Sequence, residues 1–161
     1  MSSVLDLLAT HEVWRFDPGQ IVIRQGERSG ILFFLIEGTV EVLMNDTPVC
    51  TARQPGTVFG EVSALIGRNH VVTVRASSAC AFYAVKNPRA FLASTPAVCL
   101  HVCEALAHRI DALSQYLADV KEQFEGHDHI GMVSQVLETL MYRERRVRPR
   151  RSASRRGQLT D

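Results

Sequence analysis

Seven glycines, at positions 19, 26, 30, 38, 56, 60 and 67, break the first half of this chain into short apolar pieces. A helix of ordinary length cannot survive that spacing, because each interior glycine costs about 1 kcal/mol relative to alanine. Short strands can, since glycine serves the turns between them. The pieces read as strands at 21–23, 31–36, 39–43, 49–52, 71–74 and 79–85. Asn45-Asp46 between two of them has the composition of a hairpin tip. Many short strands with regular turn signals predict a β-sandwich or barrel.

Helical signals flank this region. Residues 3–12 read as a short helix with Leu5, Leu8 and Ala9 on one face, capped by Ser2 or Ser3. Asn87-Pro88 pairs a cap residue with proline at the first helical position, and predicts a helix to about Ala93. Thr95-Pro96 repeats the pattern, and that helix is free to run to Glu125, with Gly126 as its stop. The expected class is α+β: a β-roll or jelly-roll barrel over about 14–85, flanked by short helices at 88–93 and by a long C-terminal helix at 96–125. The predicted domain is 1–126, followed by a short helix at 127–142 and a tail at 143–161.

The long helix carries a heptad pattern. Cys99, Cys103, Leu106, Ile110, Leu113, Leu117, Val120 and Phe124 alternate spacings of four and three. Such a seam predicts a homodimer coiled coil in preference to packing on the chain's own barrel.

Charge is divided unevenly. Residues 1–142 carry a net of −5 and residues 143–156 a net of +7, from eight arginines and one glutamate. The tail, rich in Arg, Ser and Pro, is expected to be disordered. It is either a solubilising end or a contact for nucleic acid or anionic membrane. The longest apolar run is seven residues, far short of a membrane span, and the first twelve include Asp6 and Glu12 without early basic residues, so the expected location is cytoplasmic. The four cysteines, at 50, 80, 99 and 103, form no C-x-x-C pair and read as small hydrophobes. Metal and cofactor are expected to be absent. His127 and His129 lack an evident third ligand, and they read as a solvated linker. No nucleophile–base pair stands out, so a catalytic role is not expected.

One segment remains, Phe59 to Ala76, with the sequence FGEVSALIGRNHVVTVRA. With Phe16-x-Pro18-Gly19, Ile23-x-Gln25-Gly26 and Phe34-Leu35-Ile36-x-Gly38-x-Val40-x-Val42, it resembles a cyclic nucleotide-binding domain of the catabolite-activator and protein-kinase-A-regulatory type. The resemblance covers roughly residues 14–124. It implies a ligand site at Gly60, Glu61, Val62, Ser63, His70, Val71 and Val72. Gly60 would permit close approach of the backbone, and Val62 and Ser63 would offer amides to a cyclic phosphate. Glu61 would accept the ribose 2′-hydroxyl. His70 stands where the family places a phosphate-binding arginine. A neutral imidazole there gives one hydrogen bond in place of a bidentate, charged fork. The function implied is a regulatory module for a cyclic nucleotide, cAMP before cGMP, signalling through the dimer helix. The alternatives are a ligand-free dimerisation scaffold and a truncated catabolite-activator-type regulator. The 35 residues after Gly126 are too few for the three-helix DNA reader of that type.

Overall fold

The computed structural model describes residues 3–123 and the single position Val136. Phe124, the 127–142 helix and the arginine tail lie outside the described residues. Two compact units divide the chain, 1–109 and 110–161, and the first contains the whole β structure.

Ser3 caps the first helix, α1 (Val4–Leu8), in a capping box with Asp6. The helix is half the predicted length. Glu12 already belongs to strand β1 (Glu12–Phe16), which pairs antiparallel with residues 80–84. Then follow β2 (Ile21–Ile23), β3 (Leu32–Glu37), β4 (Val40–Met44), β5 (Thr47–Ala52) and β6 (Val58–Phe59). Helix α2 (Glu61–Ile66), β7 (Thr73–Ala76), β8 (Cys80–Val85), α3 (Pro88–Ser94) and α4 (Pro96–Gln123) complete the order. The strands form two four-stranded antiparallel sheets, ordered β1-β8-β3-β6 and β2-β7-β4-β5. This is the predicted roll. The sequence reading missed β6, which has only two residues, and named no strand at β1.

All seven glycines named above have positive φ, so the punctuation is conformational as well as compositional. Asn45 and Asp46 also take positive φ, at 50° and 62°, as a type I′ hairpin turn demands. The Gln25 side chain holds that tip through both the amide and the side chain of Asn45.

The unbroken apolar run of β3 follows from its place. It lies between β8 and β6, and both of its faces are covered. Phe33 and Leu35 enter the core between the sheets, with Phe82, Val40, Val42 and Val74. Leu32 and Phe34 point the other way, into a second core with Leu8, Leu92, Val98 and Val102 from the helices. Period-two alternation thus joins two apolar layers through one strand. Phe82 anchors the inner layer, with edge-on contacts to Phe16, Phe33 and Phe59 at centroid distances of 5.8, 6.1 and 6.2 Å.

The helices correct two expectations. Asn87 precedes Pro88 as predicted, but its side chain makes no cap hydrogen bond. In α4 the buried positions are Val98 and Val102, neither of them on the heptad seam. Each contributes about 1.5–3 kcal/mol of burial, which ties the first half of α4 to its own barrel. Seam residues Cys99 and Leu106 pack partly against that same core, and Cys103 is exposed. In the second unit Ile110 and Leu113 are exposed, at 48% and 44%. No single helix is long and apolar enough to cross a membrane among the residues described.

Candidate functional site

A cavity of about 390 Å³ opens within the first unit, inside the usual range for small-molecule sites. Its walls are mainly apolar: Ile23 from β2, Val42 from β4, Cys50 and Ala52 from β5, Phe59 from β6 and Val74 from β7. Cys50 and Ala52, two positions apart on β5, face the cavity together, as strand alternation requires. The polar wall is Thr57, Glu61, His70 and Arg109.

Gly60 sets the geometry of the polar side. It is the N-cap of α2, at φ 87° and ψ 7°, in the left-handed region. A Cβ at this position would stand 2.5 Å from the Ile31 carbonyl oxygen. Only glycine fits both conditions. The turn directs the start of α2 to the cavity without a side-chain cap. Ala64 donates the first helical hydrogen bond, to the Gly60 carbonyl (2.9 Å), so the amides of Glu61, Val62 and Ser63 are the unpaired ones of the first turn.

The predicted site residues divide into two sets. Gly60, Glu61, Val62, His70, Val71 and Val72 all line the cavity. Ser63 does not: it is buried, and its hydroxyl accepts the Gly30 amide (2.9 Å). Its side chain therefore braces the 24–31 loop against α2. Val71 and Val72 precede β7, which begins at Thr73 and not at the predicted Val71.

His70 is the most constrained of the set. It is only 5% exposed. Its amide donates to the Glu27 carbonyl (2.8 Å) and its carbonyl accepts the Gly26 amide (2.9 Å). Nε2 lies 2.9 Å from the Ser29 hydroxyl. Burial pushes its pKa below the ordinary histidine value, and the nearby carboxylates of Glu61 and Glu27 oppose that only in part. The imidazole is therefore neutral near pH 7 and already hydrogen-bonded.

The cation at this site is one that sequence reasoning passed over. Arg109, on α4, donates Nη1 to Glu61 Oε1 (2.8 Å) and Nη2 to the Val58 carbonyl (2.5 Å). In the sequence it is a charged residue off the heptad seam, with nothing local to mark it. Arg68, the near neighbour of His70, is exposed and does not line the cavity. Arg75 is held by Glu41 at 2.8 Å. Among the described residues, no group of three or more metal-ligating side chains is assembled.

Comparison with known proteins agrees with this fold. The model of the cyclic nucleotide-binding domain matches residues 13–93. A cGMP-dependent protein kinase of Toxoplasma gondii is 36% identical over 75 residues, which make up 46% of this chain and 7% of that protein. A cAMP-dependent protein kinase regulatory subunit of Eremothecium gossypii is 33% identical over 67 residues, 42% of this chain and 14% of that protein. The match thus spans under a fifth of these curated relatives. A solved structure of cAMP-bound PfPKA-R is 20% identical, covering 68% of this chain and 36% of that one with a TM-score of 0.54; this is a likeness of fold alone. With half the chain matched by the family model and the cassette built around Gly60 and Glu61, the protein belongs to the cyclic nucleotide-binding domain family.

Proposed function

We propose that this chain is a non-catalytic regulatory module whose cavity takes a nucleotide-type ligand and whose output is the release of α4. One observation carries the reading: the Glu61 carboxylate, the strongest hydrogen-bond acceptor on the cavity wall, is engaged by Arg109 from α4. A ligand hydroxyl that bonds Glu61 competes with Arg109. Displacing Arg109 from Glu61 weakens one of the ties between α4 and the barrel. Ligand binding and helix position are then linked through one side chain, and the population shifts by the difference in ligand affinity between the two states.

Among cyclic nucleotides the reading favours cAMP over cGMP. The walls from β2, β4 and β5 are apolar, and guanine has more polar groups than adenine to leave unpaired there. His70 supplies no charge, so the affinity for either is low. Replacing a charge-assisted pair by a neutral group costs about 2–5 kcal/mol at a desolvated site, enough to move a micromolar site toward millimolar. The module acts as a homodimer through α4 in this proposal, with Ile110 and Leu113 as exposed seam residues.

Calorimetric titration of the full chain with cAMP and cGMP tests the reading, together with sedimentation of the free and saturated chain. Heat from cAMP, with weaker heat from cGMP and a single dimeric species, is the expected result. A monomer at all concentrations overturns the dimer. Silence from both nucleotides at millimolar concentration favours the ligand-free scaffold, for which the engaged state of His70 and Glu61 is the supporting observation.

A further inference from the structure

We propose that the cavity selects an uncharged ligand, with a flat apolar body and hydroxyl donors, over the same ligand carrying an anionic phosphate. The inference rests on the reading that this cavity is a ligand site, and it goes further by assigning the ligand's charge.

The argument is electrostatic and geometric. An anion that leaves water needs a cation or a set of free donors at the place where it settles. His70 occupies the cation position, but it is buried and its Nε2 already meets the Ser29 hydroxyl at 2.9 Å. Two carboxylates, Glu61 and Glu27, are close enough to act on that imidazole. A phosphate beside His70 therefore meets a neutral, already engaged imidazole, with Glu61 on the same wall held by Arg109 and Glu27 by Arg24. The one arginine on the wall, Arg109, is neutralised by Glu61 at 2.8 Å. An anion able to take Arg109 for itself leaves Glu61 unpaired beside the new negative charge, so nothing is gained in the exchange. The free amides at the start of α2 are the remaining donors, and Glu61 sits in that same turn. A negative side chain in that first turn offsets part of the weak positive end of a six-residue helix.

A neutral ligand meets none of these penalties. Its flat body buries apolar surface against the β2, β4 and β5 walls. Its hydroxyls supply the donors that Glu61 requires. Its neutral hydroxyl edge beside His70 leaves the Ser29 contact intact.

Adenosine and cAMP are a matched pair of probes, with nearly the same body and different charge. Both are titrated against the full wild-type chain at pH 7.5 and low salt, by calorimetry and by thermal shift. The expected result is adenosine binding at least tenfold tighter than cAMP. Equal or tighter binding of cAMP overturns the charge assignment and leaves the cavity standing as a ligand site. Absence of binding by both up to millimolar concentration overturns the site reading, and the charge assignment with it. His70→Arg is expected to shift the ratio toward cAMP by tenfold or more. An unchanged ratio in a folded variant counts against His70 as the origin of the selection. The wild-type comparison decides the proposal by itself where the variant does not fold.

Discussion

Arg109 on α4 and Glu61 on α2 lie 48 positions apart in sequence and meet at 2.8 Å on the wall of the cavity. Glu61 is largely covered, with 16% of its side chain exposed, whereas Arg109 is at 42%. The pair therefore contributes little to stability, about 1 kcal/mol or less by the measure of other partly exposed pairs. Its consequence lies in competition. Arg109→Ala removes the competitor for Glu61 and is expected to tighten adenosine binding several-fold without helping cAMP, while Glu61→Ala weakens adenosine binding. Titration of the two variants side by side checks this. Weaker binding by Arg109→Ala would show that the guanidinium touches the ligand directly.

Restoring the missing charge gives a second expectation. His70→Arg places a permanent cation in the cassette and should improve cAMP affinity by tenfold or more, with little change for adenosine. The substitution also removes the Ser29 contact and forces a longer side chain into a buried place. A loss of about 1–3 kcal/mol in unfolding free energy is expected from overpacking. Denaturant unfolding measures the cost, and calorimetry the gain.

The frame of the site was legible because local rules fix it. Gly60 signals a turn, the residues after it a short helix, and the alternation of β4 and β7 a shared wall. Glu61 and His70 were singled out by the resemblance of residues 59–76 to the family's cassette. Arg109 was not legible, because its role depends on the angle at which α4 returns across the barrel. That angle is set by Val98 and Val102 packing on Phe34 and its neighbours, and nothing near Arg109 in the chain records it. The first half of the heptad seam is shared with the barrel for a related reason. A 4-3 pattern and a barrel-facing stripe share residues, and Cys99 and Leu106 serve the barrel side. Ser63 has a second role that the sequence did not reveal: its amide stays in the first turn of α2, while its hydroxyl accepts the Gly30 amide and turns the side chain away from the cavity.

Acid should destabilise the fold through His70. Its pKa in the folded chain is below the ordinary value because burial penalises the imidazolium, with Glu61 and Glu27 opposing. Below about pH 6.5 the unfolded chain therefore binds the proton more readily than the folded one. The contribution from the neutral, buried His70 is fully present above pH 6.5 and is lost as pH falls toward the folded pKa. Unfolding free energy measured from pH 7.5 to 5 should decline more steeply for the wild type than for His70→Gln. Parallel profiles would remove His70 as the source of the acid sensitivity.

Gly60→Ala tests the turn on which the cassette depends. A methyl group there meets the Ile31 carbonyl at 2.5 Å and must hold φ at 87°. Backbone strain of this kind costs about 1–3 kcal/mol, and the carbonyl, being part of the chain leading into β3, has little room to move. The expected outcome is a folded but destabilised chain with a lowered Tm. The start of α2 swings off the cavity, so adenosine and cAMP binding should both fall. Gly26→Ala is the control: it shares the positive φ, at 85°, but its Cβ meets nothing within 4 Å. It should show the strain without the collision and lose less stability than Gly60→Ala. Equal losses in the two variants would mean that the close approach to Ile31 is relieved at little cost, and that conformation alone requires glycine at position 60.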